Sequence, residues 1–197
     1  LTVFRDQCFT ADLHSEPLKR IEDAAMLRNT QFREDAGPTA HPVKPDSYQA
    51  IDNFYTTTIY EKGAELIRML RTLLGPERFM RGMSLYFKRH DGEAATTEDF
   101  VNAIVDGAGA DGQPLGFDVE QFRLWYHQAG TPHVTVKSHW DGEAGRLSLT
   151  LQQSTAPTPG QERKQALVIP VLWSVLSTNG GAAKERLLVL DQQTQTV

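Results

Sequence analysis

The sequence predicts an α+β chain, with a helical part over residues 1–130 and the beginning of an antiparallel β-sandwich over residues 131–197. Two observations predict it. Up to Gly130 the apolar residues recur at three- and four-residue spacing, the period of a helix face. After Thr131 they alternate with polar residues, the period of a strand with one covered side.

The helical elements come in order. Leu1, Val3, Phe4, Gln7 and Cys8 share one helix face at the front of the chain. Ser15 is a candidate N-cap with Pro17 in the first turn behind it, and Leu18, Ile21, Ala25 and Leu27 predict a second helix ending before Gly37-Pro38. Pro38, Pro42 and Pro45 restrict φ and disfavour helix at the residues before them, so residues 37–46 read as an extended connector. The strongest helix lies over residues 57–74. Ala64, Ile67, Met69, Leu70, Leu73 and Leu74 supply its apolar face, while Glu61, Glu65, Arg68 and Arg71 line the other side. Gly75-Pro76 stops it. Pro76 opens the next helix, with Phe79, Met83 and Phe87 facing inward and Arg81, Lys88 and Arg89 outward. Thr96 or Thr97 caps a helix with Glu98 and Asp99 in its first turn and Phe100, Ala103 and Ile104 on its apolar face. Residues 107–116 hold four glycines and a proline and read as a loop. Asp118 caps a short helix bearing Phe122, Trp125 and Tyr126.

Four strands are expected after that. Val134 and Val136 alternate. Asp141-Gly142 and Gly145 mark a turn, and Leu147, Leu149 and Leu151 alternate again. Residues 167–176 read as a long apolar strand, which Asn179-Gly180-Gly181 turns into residues 187–190.

Composition excludes more than it specifies. Hydrophobic residues are 40% and charged residues 23% of the 197 positions, as in an ordinary globular protein. A formal charge of -5 argues against a nucleic-acid surface, which is usually basic. No apolar run reaches the ~20 residues that span a bilayer, so no membrane partner is expected. The first residues show neither the basic region nor the starting Met of a signal peptide and read as an amphipathic helix entered partway. Cys8 is the only cysteine, so no internal disulfide can form. This fits a reducing, cytoplasmic setting, and the thiol reads as packed rather than reactive.

Spacing alone offers little chemistry. No pair among His14, His41, His90, His127, His133 and His139 has the i,i+4 spacing of a helical zinc motif. His133 and His139 lie six apart in a strand region and are separated along it. There is no phosphate-cradling glycine loop, no nucleophile elbow and no C-x-x-C. On these grounds Tyr60 reads as a helix-start aromatic packed on the core, and Tyr55 as a core aromatic.

Two segments say more. One runs Asn53-Phe54-Tyr55-Thr56-Thr57-Thr58-Ile59-Tyr60-Glu61-Lys62-Gly63-Ala64-Glu65, and the other Leu1-Thr2-Val3-Phe4-Arg5-Asp6-Gln7. Both closely resemble bacterial members of the aminopeptidase N family. Further stretches agree with that family in the same order: Asp35 to Pro45 around Ala40-His41-Pro42, Leu85 to Gly92, and Phe122 to Pro132. The resemblance covers nearly the whole chain and is weakest over residues 111–117 and after Asp141.

The resemblance implies that residues 1–130 are the helical part of a thermolysin-like catalytic domain. It implies a zinc-dependent enzyme that removes N-terminal residues from peptides. In the family pattern the metal is held by an H-E-x-x-H helix and a following glutamate that precede the segment matched by Leu1–Gln7, so no metal ligand is expected among these residues. Tyr60 maps onto the family's catalytic tyrosine. A phenol donor aimed at the tetrahedral oxyanion stabilises the transition state more than the ground state. Tyr55 resembles a residue lining the pocket for the substrate's first side chain. Asp6 is a candidate to hydrogen-bond a zinc-ligand histidine and fix its tautomer, or else to form a surface salt bridge with Arg5 or another cation. Glu61 and His41 read as structural. On this reading the piece by itself is inactive. The apolar faces of residues 1–9 and 57–74 would lack their usual cover and could mediate self-association. A reading of a different class is a stand-alone helical binding or scaffolding module derived from the family.

Overall fold

The computed structural model describes residues 1–181 and 184–197. Its helices are α1 (Thr2–Leu13), α2 (Glu16–Met26), α3 (Phe32–Asp35), α4 (Gly63–Leu74), α5 (Pro76–His90), α6 (Thr97–Gly109) and α7 (Val119–His127). Two π-helical turns, Leu27–Gln31 and Thr58–Lys62, lead directly into α3 and α4, and a 3₁₀ turn spans Ile51–Phe54. The strands are β1 (Pro132–Asp141), β2 (Arg146–Thr155), β3 (Ile169–Trp173), β4 (Arg186–Leu190) and β5 (Thr194–Thr196). Helices followed by antiparallel strands make the chain α+β, as the two periodicities predict.

The contacts divide the chain into two compact units. The first comprises residues 1–67, 120–167 and 190–197, and the second residues 68–119 and 168–189.

In the first unit β1 and β2 form an antiparallel hairpin, with Val136 opposite Leu151 and Trp140 opposite Leu147. The turn at 142–145 is the one its Asp and Gly residues predict. The short strand β5, unanticipated in the sequence, adds to the far side of β2. Gln153 is buried in β2, where an amide without partners would be costly. Its Nε2 donates to the carbonyls of Leu167 (2.8 Å) and Gln192 (3.1 Å), and its Oε1 accepts from Leu167 N–H at 2.8 Å. The apolar run over 167–176 is therefore not one long strand. Leu167 and Val168 are fully buried, but Leu167 gives its backbone bonds to the Gln153 side chain, and strand structure begins only at Ile169.

The same unit holds a buried ion pair. Asp35, at the end of α3, is 1% exposed, and Lys62, at the end of the second π-turn, is 6% exposed. Lys62 Nζ lies 2.7 Å from Asp35 Oδ2 and donates also to Gly130 O at 3.0 Å. It sits 6.0 Å from the centroid of the Trp125 ring. Asp35 further accepts from Gly130 N–H (2.7 Å) and the Thr131 hydroxyl (2.9 Å). Burial opposes ionisation of Asp35. The Lys62 charge and the donors from Lys62, Gly130 and Gln31 outweigh it and hold the carboxyl below the usual carboxylate range.

In the second unit α5 and α6 cross at two glycines. A Cβ on Gly82 would sit 2.6 Å from Ile104 Cα, and one on Gly107 would sit 2.6 Å from Gly82 Cα. Gly107 therefore belongs to a helix contact. This corrects the reading of residues 107–116 as loop, because α6 continues to Gly109. A capping box starts α6: the Thr96 hydroxyl accepts from Asp99 N–H at 3.2 Å, and Asp99 Oδ2 accepts from Thr96 N–H at 2.9 Å. Arg78 fastens the far end, donating to the carbonyls of Ala108 (3.1 Å), Gln113 (2.9 Å) and Pro114 (3.0 Å). In α5, Phe79 and Met83 are buried as predicted, whereas Phe87 is half exposed and meets the edge of Tyr86.

The expectation of uncovered apolar faces divides. Ala64, Leu66, Ile67, Leu70, Leu73 and Leu74 of α4 are all buried, so that face is covered within the chain. On α1 and α2, Phe9, Leu13, Leu18 and Ile21 are exposed. Leu18 and Ile21 thus do not form the inward face that their spacing predicts.

Urea unfolding tests both the ion pair and the glycine crossing. Asp35→Asn leaves a buried ammonium without its counter-charge and should cost about 3–5 kcal/mol, and combining it with Lys62→Met should cost less than the two single changes summed. A carboxyl held low in the folded state stabilises above its unfolded pKa, and that contribution is lost as pH falls through the folded value. Wild type should therefore lose stability into acid more steeply than Asp35→Asn. Gly107→Ala, which puts a methyl against backbone, should destabilise by about 1–3 kcal/mol. Gly109→Ala, whose Cβ meets nothing within 4 Å, should be neutral or gain up to about 1 kcal/mol.

Candidate functional site

Tyr60 stands in the middle of the Thr58–Lys62 π-turn, and the residues on either side of it are anchored. Such turns are uncommon and concentrate at functional positions. Two residues before Tyr60, Thr58 is fully buried. Its N–H and hydroxyl both meet Glu34 Oε2, at 3.0 and 3.2 Å, and the Thr57 hydroxyl donates to the same oxygen. A glutamate from α3 thus takes the free donors at the start of the turn, as a cap does. Gln31 Nε2 adds a bond to the Thr58 hydroxyl at 3.3 Å, so the two π-turns touch. Two residues after Tyr60, Lys62 enters the buried pair with Asp35. Glu34 and Asp35 are neighbours in sequence, so the end of α3 holds both sides of the turn.

Between these anchors the Tyr60 ring is 43% exposed. It is not the core aromatic that spacing alone suggests. Its N–H donates to Thr56 O at 3.1 Å, a backbone bond, and among the described residues nothing hydrogen-bonds its hydroxyl. Tyr55 is 67% exposed and stacks on it, with ring centroids 6.2 Å apart and planes inclined by 28°. The structure brings these two predicted residues together as one exposed aromatic surface.

Asp6 lies on α1 and is exposed. Its negative charge acts on Lys19 of α2 and on Glu61. Glu61 Oε2 accepts from Gln7 Nε2 at 3.4 Å, and Arg20 holds Glu65 with two bonds of 2.7 Å. Burial pushes the Glu61 carboxyl up, and the charges of Asp23, Glu65 and Asp6 push the same way while Lys19 opposes them. His41 Nδ1 donates to Pro42 O at 2.8 Å, which turns Nε2 towards Glu34 Oε1 at 3.6 Å.

The sequence reading misses Glu34, Asp35 and Lys62. A signal for Lys62 is present. It lies four residues before Leu66 and eight before Leu70, on the stripe that α4 buries, and a lysine on such a stripe needs a buried partner. Nothing comparable marks Glu34, whose partners lie 23 and 24 residues away.

Among the described residues no group of three or more His, Cys, Asp or Glu converges as a metal ion requires. The side chains present do not by themselves fit zinc; the exposed Tyr60 hydroxyl can donate a hydrogen bond, and Tyr55 adds an aromatic face beside it.

Comparison with known proteins gives concordant matches. Residues 1–125 match the peptidase family M1 domain, and residues 130–197 match a domain of unknown function (DUF3458) with an Ig-like fold. Aminopeptidase N of Escherichia coli K12 is 49% identical over 180 residues, which are 91% of this chain and 20% of that protein. Aminopeptidase N of Caulobacter vibrioides is 50% identical over 197 residues, all of this chain and 22% of that protein. The crystal structure of Legionella pneumophila aminopeptidase A in complex with aspartic acid superimposes with a TM-score of 0.78 at 25% identity, over the whole of this chain and 20% of that one. The chain thus spans about a fifth of the length of the relatives it matches. With the family pattern running through α1 to α7, including the turn that carries Tyr60, the chain belongs to peptidase family M1.

Proposed function

We propose that this chain is the helical portion of the catalytic domain, to residue 130, and the start of the following β domain, from residue 131, of a zinc-dependent aminopeptidase that removes N-terminal residues from peptides. The family matches at residues 1–125 and 130–197 support this division. The observation that carries the functional reading is Tyr60, a half-exposed phenol whose hydroxyl has no hydrogen-bond partner among the described residues, on a turn anchored on both sides.

When water adds to the scissile carbonyl, the oxygen becomes an oxyanion and its demand for a donor rises. A phenol already aimed there lowers the barrier more than it strengthens substrate binding. Tyr55, stacked on Tyr60, forms the wall beside the substrate's first side chain. Asp6, exposed on α1, would be free to orient a metal-ligand histidine through a hydrogen bond. The zinc would polarise the scissile carbonyl and supply the attacking water, while the side chains of this chain donate to the oxyanion and line the substrate. The protein works in the reducing cytoplasm, consistent with the single cysteine. Taken alone, the 197 residues are inactive and self-associate through Phe9, Leu13, Leu18 and Ile21.

Tyr60→Phe in the full-length protein should lower kcat for peptide–arylamide hydrolysis about 10²–10³-fold with KM little changed, the usual cost of losing one oxyanion donor. Turnover within a few-fold of wild type would remove Tyr60 from the mechanism. The isolated 197-residue chain should show neither stoichiometric zinc by elemental analysis nor hydrolysis, and tightly held zinc would reveal a ligand set within the chain itself.

A further inference from the structure

We propose that Glu34 is a positioning residue for Tyr60, setting the direction of the phenol by capping the turn that carries it. The inference rests on the reading of Tyr60 as the oxyanion donor. A side chain that is 43% exposed has little beyond its stack on Tyr55 to fix it, and among the described residues nothing holds its hydroxyl. Its aim then depends on where the backbone of the turn lies. One carboxylate oxygen, Glu34 Oε2, gathers three donors there: the Thr57 hydroxyl, Thr58 N–H at 3.0 Å and the Thr58 hydroxyl at 3.2 Å. The other oxygen lies 3.6 Å from His41 Nε2, and Pro42 O fixes that ring from its far side. The bonds to Glu34 Oε2 are charge-assisted and directional, whereas His41 Nε2 at 3.6 Å makes no hydrogen bond to Glu34. Without them the donors at the head of the turn lose their partner while Lys62 still grips its end. The turn would then pivot about Lys62 and carry the phenol off line. Misplacement of a reacting group by about 1 Å costs on the order of 10²-fold.

The test uses the full-length enzyme with Glu34→Ala, Glu34→Gln and Tyr60→Phe singly, and Glu34→Ala combined with Tyr60→Phe. A second set carries 3-fluorotyrosine at position 60 for ¹⁹F NMR. Glu34→Ala should lower kcat about 10- to 100-fold with little change in KM. Glu34→Gln keeps an acceptor oxygen and should retain most of the turnover. In the Tyr60→Phe background Glu34→Ala should have almost no further effect, because a residue acting through the phenol has nothing left to act through. The ¹⁹F resonance at position 60 should shift or broaden in Glu34→Ala and not in Glu34→Gln. An equal loss of kcat in both backgrounds, or a ¹⁹F signal unmoved by Glu34→Ala, overturns the proposal. If Tyr60→Phe alone retains activity, the functional reading of Tyr60 fails, and the ¹⁹F signal still decides whether Glu34 sets the ring. Thr57→Val, which removes one donor and leaves the carboxylate, serves if Glu34→Ala does not fold, with a ¹⁹F shift in the same direction expected and an unmoved signal counting against.

Discussion

The Lys62 ammonium and the Asp35 carboxylate are both removed from water, and neither can stay charged there without the other. The pair also recruits the Gly130 backbone and the Thr131 hydroxyl, so it joins the end of α3, the turn before α4 and the passage from α7 to β1. These segments are 27 and up to 96 residues apart in sequence. An apolar contact in the same place could stabilise as much, since the gain from a buried ion pair is largely cancelled by desolvation. What the pair adds is a single register. If the turn slipped by one residue, Lys62 would be buried with no carboxylate and Asp35 with no cation.

That constraint gives α3 its importance despite its four residues. Its last two side chains work on the same turn in different ways. Asp35 is buried and takes the charge from the end of the turn, while Glu34 stays partly exposed and takes hydrogen-bond donors from its start. The π-turn at Leu27–Gln31 sets the phase of α3, and its last residue, Gln31, touches Thr58 directly. Each π-turn inserts an extra residue into a helix and rotates the next segment by roughly a quarter-turn. Two such insertions in contact let the acidic end of α3 meet the polar head of the α4 segment.

The sequence carries the architecture through its periods and punctuation. Pro76, the Thr96–Asp99 box, Asp141-Gly142 and the alternating leucines of β2 stand where local chemistry puts them. The failures share one cause. Gly107 resembles a loop residue because a glycine's use in a close helix crossing depends on a partner, Gly82, that is distant in sequence. Residues 167–176 resemble one strand because the claim of the Gln153 side chain on Leu167 is invisible locally. Leu18 and Ile21 keep helical spacing without an inward face, because spacing fixes a shared side of the helix but not what covers it. At the candidate site, Tyr55 and Tyr60 are singled out by family resemblance alone, and their stacking is not legible in the sequence. The supporting acids are illegible because their meaning lies in long-range pairing.

A donor for an oxyanion faces two demands that conflict. It must be open, so that substrate can reach it, and it must be fixed, since a donor that reorients during the reaction gives back part of what it contributes. Fixing a tyrosine by packing would bury it. If Tyr60 is the donor proposed above, the arrangement around it separates the two demands by placing the rigidity in the backbone two residues to either side. Thr58 and Lys62 are buried and bonded while the phenol between them stays half in solvent. The ring then has two torsions to settle. The first is restricted by the helical backbone it leaves, and the second by the stack on Tyr55. The stacked pair is exposed and covers no core. On the proposed reading its use lies in what the pair presents outward.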